Sequence, residues 1–321
     1  MHRILLSNFR MHSRLKIYSA RFISSLALFI SPVIFAAETY SDHEQFCHLR
    51  SFEQCDLYLK DSLANITPLS TQWYKVSSYQ LDFYYDHQLF LETLKITTPL
   101  LAQTELPSVF KAQIYFYHAK ALNYTGQKVL AKEVAFKTKE ILQEHFDAFQ
   151  DPYRIVEIAN LYHVFGDPEN ALTLLQKTQR QFAKRQDPHF NFELYGNLAQ
   201  TYIALGDLDK QTTSWQKALY AAHQTNDPQK IKIAYGGLAF SQKANKDYQA
   251  AYNSYQKALA TKAPKQNQAS FARLQINLAE MGLALENKKL ATEHFNKILP
   301  NSVPRLHKER YLQLQTQLLI K

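Results

Sequence analysis

The sequence predicts an all-α protein folded as a solenoid of stacked helix–turn–helix units. Its composition favours helices, because 46% of the 321 residues are hydrophobic while only 7 are Gly and 11 are Pro. Turn signals recur every 40 residues through the middle of the chain. Between these signals the apolar residues keep the three- and four-residue spacing of one helix face. A unit of this kind cannot bury its apolar face alone, so the units are expected to stack.

The first 37 residues differ in kind from the rest. They contain five basic residues and no acidic residue, followed by an apolar run over 23–35 and then by Ala36 and Ala37. A basic leader, a short apolar stretch and small residues at its end are typical of a secretory signal peptide. We therefore expect cleavage near Ala36 or Ala37 and an exported, periplasmic protein without a membrane span in its mature part.

Two alternatives to a cleaved leader stay open. Residues 22–37 are an alternative inner-membrane anchor, although the apolar run is short for a bilayer. Met11 is an alternative start of translation.

The leader also carries much of the positive charge. Without its five basic residues, 32 of the 37 Lys and Arg remain against 28 Asp and Glu, so the net charge falls from +9 to +4. This balance is too small and too dispersed to indicate a nucleic-acid partner.

Two cysteines, Cys47 and Cys55, are expected to form a disulfide in an oxidising compartment. On one continuous helix they would lie about 12 Å apart, beyond disulfide reach. Residues 51–54, Ser-Phe-Glu-Gln, fit a capping box, so a helix is expected to begin there with Cys47 in the preceding loop. The alternative is a metal site formed by His43, Cys47, His48 and Cys55, which lacks a standard zinc spacing.

The repeat is clearest at its internal turns. Gly126, Gly166 and Gly206 are 40 residues apart, and the next two steps fall on Lys246 and Glu286, each beside a turn-prone Asn. The segments "SWQKAL", "SYQKAL" and "HFNKIL" end three successive units in nearly the same way. An alanine near the start of the second helix favours close helix packing in four of the five units, and the third unit has Gln211 in its place. In the second to fifth units a large side chain follows one turn later. The large residues are Leu175, Trp215, Tyr255 and Phe295.

The order aromatic, Leu, Ala, aromatic, Gly-Asp, Ala, aromatic, "QKAL" resembles the tetratricopeptide repeat. That repeat has 34 residues, and the 40-residue unit is similar to the longer variant in kinesin light chains and some bacterial regulators. The resemblance implies a right-handed superhelical solenoid whose concave wall is formed by the first helices. Five units would span 112–303, starting near 112, 152, 192, 232 and 272, after a degenerate unit at 71–111.

Both ends of the stack are expected to be capped. Residues 38–70 form the N-terminal capping region, and residues 304–321 form a C-terminal capping helix. In this helix we expect the apolar side chains, including Leu306, Tyr311 and Leu314, to face inward and Arg310 to face outward.

The resemblance also implies a peptide-binding groove on the concave wall. In peptide-binding relatives a ladder of Asn side chains on this wall hydrogen-bonds the ligand backbone, because a carboxamide both donates and accepts. Asn160, Asn197, Gln200 and Asn277 are the candidate rungs. The full set of predicted groove residues is Tyr117, Lys120, Asn160, His163, Gly196, Asn197, Gln200, Gly236, Phe240 and Asn277.

Recognition of a terminal carboxylate is not predicted. Relatives that bind a terminal carboxylate use basic residues at positions that hold Val156, Ile233 and Gly237 here.

Gly196 and Gly236 lie 40 residues apart inside predicted first helices, where glycine costs about 1 kcal/mol relative to Ala. Two interpretations stay open for these glycines: they clear the groove floor for a ligand, or they let neighbouring helices pack closely.

The sequence offers no catalytic motif. It has no phosphate-binding Gly loop, no His-Glu-x-x-His, no Gly-x-Ser-x-Gly and no Cys-His nucleophile pattern. We predict no enzymatic activity, no cofactor and no metal site. The expected function is a non-catalytic protein- or peptide-binding scaffold or sensor in the cell envelope. The alternative is a structural component that joins an envelope complex through its convex face or an uncleaved N-terminal anchor.

Overall fold

The described part of the chain is helical throughout. The computed structural model describes residues 43, 46–47, 50–261 and 268–319, apart from the side chain of residue 305. Within these ranges the chain forms fourteen α-helices and two short 3₁₀ turns and no strand, which confirms the predicted all-α fold. The predicted leader and its cleavage site lie outside the described residues.

Twelve of these helices form six consecutive pairs, α2–α3 to α12–α13, and α1 and α14 flank them. None of the helices in the described ranges combines the length and the apolar character that crossing a bilayer requires. In chain order the helices are α1 (Phe52–Asn65), α2 (Thr71–Asp86), α3 (Phe90–Leu101), α4 (Ser108–Tyr124), α5 (Lys128–Phe149), α6 (Pro152–Val164), α7 (Pro168–Gln181), α8 (Pro188–Ala204), α9 (Leu208–Thr225), α10 (Pro228–Ala244), α11 (Tyr248–Ala260), α12 (Gln268–Ala284), α13 (Lys288–Phe295) and α14 (Lys308–Leu319).

The turn inside each pair follows the 40-residue period. Gly126, Gly166 and Gly206 have φ angles of +91°, +85° and +78°. The next two steps, Lys246 and Glu286, have φ angles of +63° and +56°. Glycine enters this left-handed region at lowest cost, but the two later units accept it with ordinary side chains. The left-handed turn therefore depends on its position in the unit, and glycine at that position lowers the free energy of the turn.

Aspartates cap the first helices. Asp151, Asp187 and Asp227 each accept a hydrogen bond from a main-chain N–H of the helix that follows, and proline occupies the first turn of that helix. The Asp-Pro pairs thus start first helices, and α8 and α10 begin at 188 and 228, four residues before the expected unit starts. The second helices are capped in the same way by Asp167, Asp207, Asp247 and Asn287.

Small and large side chains alternate in the core as the repeat pattern predicts. Ala159 and Ala171 are fully buried, and Leu175 lies one turn beyond Ala171 in the same cluster. Trp215 and Tyr255, the equivalents of Leu175 in the next two units, are 4% and 2% exposed. The small residues let the helix backbones approach, and the large residues fill the remaining space.

The N-terminal end contains the predicted disulfide. Cys47 and Cys55 are bonded, with their Cα atoms 4.8 Å apart. Ser51 caps α1 through the expected capping box. One detail of the prediction is wrong, since Cys47 lies in a helical stretch and not in a loop, and the chain bends at Arg50 before α1. Because both sulfurs are bonded to each other, neither cysteine is available as a thiolate ligand for the alternative metal site, and His48 lies outside the described residues.

The C-terminal helix α14 packs against the last unit. Leu314 is buried at 2% exposure, and Tyr311 stacks on Phe295 at 5.0 Å between ring centroids. Two of its orientations differ from expectation. Leu306 is 62% exposed, because it lies in the 3₁₀ turn before α14 and out of phase with the buried face. Arg310 points inward and contacts polar groups of α12.

Candidate functional site

The first helix of each pair faces the inner side of the stack. Successive first helices from α2 to α10 contact one another directly, most extensively α6 with α8. A cavity of about 330 Å³ opens on this face between α2, α4, α6 and α8. Its volume lies at the lower end of the range for small-ligand pockets and suits one or two amino-acid side chains. Its lining combines aromatic, amide and charged side chains.

Four predicted groove residues line this cavity: Tyr117, Lys120, Asn160 and Asn197. Asn160 Nδ2 donates to Asn197 Oδ1 at 2.7 Å, and Asn197 Nδ2 donates to the main-chain oxygen of Glu193 at 2.9 Å. This chain of bonds fixes the orientation of both amides. The two asparagines are thus bonded to each other, and the buried Oδ1 of Asn160 has no hydrogen-bond partner. A buried acceptor of this kind is costly unless a donor reaches it.

Lys120 is a buried cation at the cavity. It is only 6% exposed, and its Nζ lies 4.3 Å from the ring centroid of Tyr85 and 4.4 Å from that of Phe116. No carboxylate of the described residues lies within ion-pair distance of it. Burial lowers the pKa of Lys120 to about 8. The two aromatic faces stabilise the ammonium group where a salt bridge would be expected.

Three carboxylates share the cavity with Lys120: Asp86, Glu157 and Glu193. Desolvation raises the pKa of Asp86 to about 7 although the residue is exposed, and Asp82 and Glu193 add to the shift. Desolvation also raises the pKa of Glu157 to about 7, against the opposing effect of Arg154, which lies 2.8 Å away. Burial raises the pKa of Glu193 as well. The cavity therefore concentrates acidic groups that would be more readily ionised in water.

Asp86, Glu193, Tyr85 and Tyr153 line the cavity but were not predicted from the sequence. Tyr153 and Glu193 lie one helical turn before Glu157 and Asn197, so following the same face for another turn would have found them. Tyr85 and Asp86 lie at the end of α2, where the repeat is degenerate. Its left-handed turn residue, Gln88, falls two positions after the step expected from Gly126, so the period does not give their phase.

The other six predicted groove residues do not line the cavity: His163, Gly196, Gln200, Gly236, Phe240 and Asn277. Gln200 is exposed, and Phe240 is 48% exposed. Nδ1 of His163 is buried without a hydrogen-bond partner, and burial lowers the pKa of this imidazole, with Lys120 adding to the effect. The inner face continues beyond the cavity, and these residues remain candidates for contacts with an extended ligand.

The glycines on the inner face have different surroundings. A Cβ at Gly237 would overlap the ring of Trp215, and one at Gly196 would touch the same ring at 3.9 Å. A Cβ at Gly236 would meet nothing within 4 Å. Close packing on Trp215 therefore explains Gly237, whereas Gly236 faces open space.

The side chain of Asn277 is hydrogen-bonded to a residue of the C-terminal helix α14. Its Oδ1 accepts from Arg310 Nη2 at 2.6 Å. The same guanidinium donates from Nε and Nη2 to the two oxygens of Glu280, at 2.7 and 2.6 Å. Lys243 also reaches Glu280, at 2.6 Å. A side chain of the protein itself thus fills the inner face at this end of the stack.

The cavity gathers perturbed titratable groups, as catalytic sites often do. No serine, threonine, cysteine or histidine is among the described residues that line it, and no group of side chains in the described ranges has a metal-binding arrangement. The expectation that the protein is not an enzyme remains a prediction.

No protein-family model matches the chain, and no curated protein matches it. Among solved structures it is similar to a signal-transduction ATPase with a tetratricopeptide repeat sensor from Pyrococcus horikoshii, at 15% identity and a TM-score of 0.50, over 83% of this chain and 44% of that one. It is also similar to a tetratricopeptide repeat protein from Parabacteroides merdae, at 14% identity and a TM-score of 0.48, over 83% of this chain and 92% of that one. At these identities the similarity concerns the fold alone, and the fold is a solenoid of tetratricopeptide-like repeats.

Proposed function

We propose that this protein is a non-catalytic scaffold that holds a segment of a partner protein on its inner face, at the cavity between α2, α4, α6 and α8. One observation carries the proposal: four first helices bring hydrogen-bonding and charged side chains together in a space of about 330 Å³. Helical repeats present such surfaces to partner chains because each unit adds one helix to a continuous wall. The repeats of the P. horikoshii protein are named as a sensor, and a sensing role is part of the same proposal.

The proposed location is the periplasm. The basic leader with its apolar run supports export. The disulfide between Cys47 and Cys55 supports an oxidising compartment.

A second candidate function is structural assembly through the outer face of the stack. Val129 and Phe136 lie two helical turns apart on one side of α5 and are 76% and 61% exposed. Exposed apolar side chains of this size favour a protein contact.

Replacement of the asparagine pair tests the groove. In the N160A/N197A variant both partners of one hydrogen bond are removed together, so we expect the helical content and melting temperature to change little. Capture of the partner from the native cell envelope should fall at least about tenfold, since two hydrogen-bonding groups of the cavity are lost. Quantitative mass spectrometry of affinity-purified complexes measures this loss.

The matched control is N253A, at an exposed position on α11. Its capture should equal that of the wild type. If N160A/N197A also captures the partner normally, the groove proposal is wrong. Loss of capture on V129S/F136S instead would favour assembly through the outer face.

A further inference from the structure

We propose that the cavity receives an arginine side chain of the partner segment, an inference that rests on the proposed function. Its basis is the way the inner face already binds an arginine elsewhere, together with the unpartnered groups and the charge of the cavity.

Arg310 shows how this wall binds a guanidinium group. It is held by one carboxylate and one amide from consecutive turns of α12, Glu280 and Asn277, with three hydrogen bonds of 2.6 to 2.7 Å. Bidentate pairing with a carboxylate matches the planar fork of arginine and not the single ammonium group of lysine.

The cavity presents the same pair of groups on an equivalent surface. Positions 157 and 160 lie three 40-residue steps before 277 and 280. They hold Glu157 and Asn160, so the carboxylate and the amide are exchanged but remain one turn apart on the inner side of a first helix. Arg154 contacts Glu157 through Oε2, and Asn160 Oδ1 has no partner. A guanidinium placed there would donate to Asn160 Oδ1 and to Glu157.

The charge of the cavity also favours a cation. Asp86, Glu157 and Glu193 share the cavity with Lys120, and Arg154 pairs with Glu157, so three carboxylates stand against two cations. The nearby Lys230 also attracts Asp86 and Glu193, but it pairs with Asp227 at 3.0 Å, so the two together add no net charge. An added arginine would bring the set close to neutrality.

An aromatic side chain of the cavity also favours arginine. Tyr153 lines the cavity and offers aromatic surface on which a planar guanidinium can stack. Lys120 forms no salt bridge with a described residue, and its ammonium group lies over the rings of Tyr85 and Phe116. Its burial at 6% exposure between two rings sets it apart from a solvated surface lysine.

Three short peptides test this inference on the full chain. The probe is acetyl-Gly-Ser-Ala-Arg-Ala-Ser-Gly amide, and in the other two citrulline or glutamate replaces the arginine. Citrulline keeps the shape of arginine and removes its charge. We expect the arginine peptide to bind at least about tenfold more tightly than either of the others, as loss of a charge-assisted hydrogen bond predicts. Calorimetric titration or ligand-observed NMR gives the dissociation constants.

Substitutions of cavity residues test whether the arginine peptide binds in the cavity. E157Q and E193Q should each weaken the arginine peptide severalfold, whereas K120M should leave it unchanged or tighten it by removing a like charge. The control is E140Q, which removes the same charge from an exposed position on α5. Circular dichroism verifies that each variant is folded.

Two outcomes overturn the inference: equal or undetectable binding of all three peptides, or tighter binding of the glutamate peptide that is lost in K120M. Either result leaves the groove proposal standing if N160A/N197A still loses its partner. Retained capture in that variant would instead contradict the groove proposal itself.

Discussion

At the scale of single residues, the inner face holds charged groups where water solvates them poorly. Glu157 keeps 30% of its side-chain surface and pairs with Arg154, yet its pKa rises to about 7, because desolvation outweighs that partner. Lys120 shows the opposite shift for the same reason, since burial disfavours its charged form. Such groups reduce stability when ionised, and a ligand that neutralises them would recover the loss.

Glu157 therefore makes stability depend on pH. Its pKa is higher in the folded than in the unfolded chain, so the folded state binds more protons between about pH 4 and pH 7 and loses stability as the pH rises through that window. E157Q removes this dependence. Relative to the wild type, the variant should gain on the order of 1 kcal/mol in unfolding free energy between pH 5 and pH 8. Urea unfolding at both pH values measures the gain.

The variant E140Q is the control, since it changes a carboxylate at an exposed site of α5. The residue-scale interpretation fails if E157Q and E140Q show the same difference from the wild type at both pH values.

At the scale of helices, Trp215 organises the contact among α8, α9 and α10. The side chain is 4% exposed on α9 and lies against Gly196 of α8 and Gly237 of α10. The absence of a side chain at Gly237 lets α10 approach the indole ring. The adjacent Gly236 has no such neighbour. The two consecutive glycines of α10 thus differ in their surroundings: Gly237 packs closely on Trp215, and Gly236 does not.

Alanine substitutions at the two positions separate the effect of helix propensity from the effect of packing on Trp215. G236A should stabilise the protein by about 0.5 to 1 kcal/mol, because alanine favours the helix and a Cβ meets no atom. G237A gains the same helix preference but forces the indole aside, so it should destabilise the protein by about 1 kcal/mol or more. Thermal unfolding of the two variants gives the sign of each change. Equal effects of the two substitutions would show that Trp215 does not set the helix spacing.

At the scale of the whole molecule, each unit contacts mainly its neighbours. Stability in such a stack is close to a sum of local contributions. The disulfide ties the residues before α1 to the buried face of α1, where Cys55 packs with Leu59 and Val76. The disulfide should therefore stabilise mainly the helices at this end of the stack.

The variant C47S/C55S tests this locality. For a loop of this length, loss of the bond should cost about 2 kcal/mol through the entropy of the unfolded segment. Hydrogen exchange of the full chain should rise over α1 and α2 and remain unchanged from α8 onward. A reductant added to the variant should have no further effect. An equal rise of exchange along all helices would contradict the local model.

Much of the architecture could be predicted because it depends on local chemistry. The left-handed turns, the buried alanines and the partners of the cysteines follow from residue type and spacing. The inward orientation of Arg310 could not be predicted, because it depends on Glu280 and Asn277 of a different helix. The bond between Asn160 and Asn197 likewise joins two units, and no periodicity within one unit reveals it.

The period, the turns, the helix caps and the apolar faces could be read from the sequence, since each of these is set by side chains within one unit. Which polar residues of different helices meet depends on how the units stack. The tertiary structure gathers Asp86, Lys120, Glu157 and Glu193 around one cavity, because the stacking of units sets distances between helices that are far apart in sequence. The shifts in the pKa of Lys120, Glu157 and Glu193 arise mainly from the desolvation that this stacking imposes.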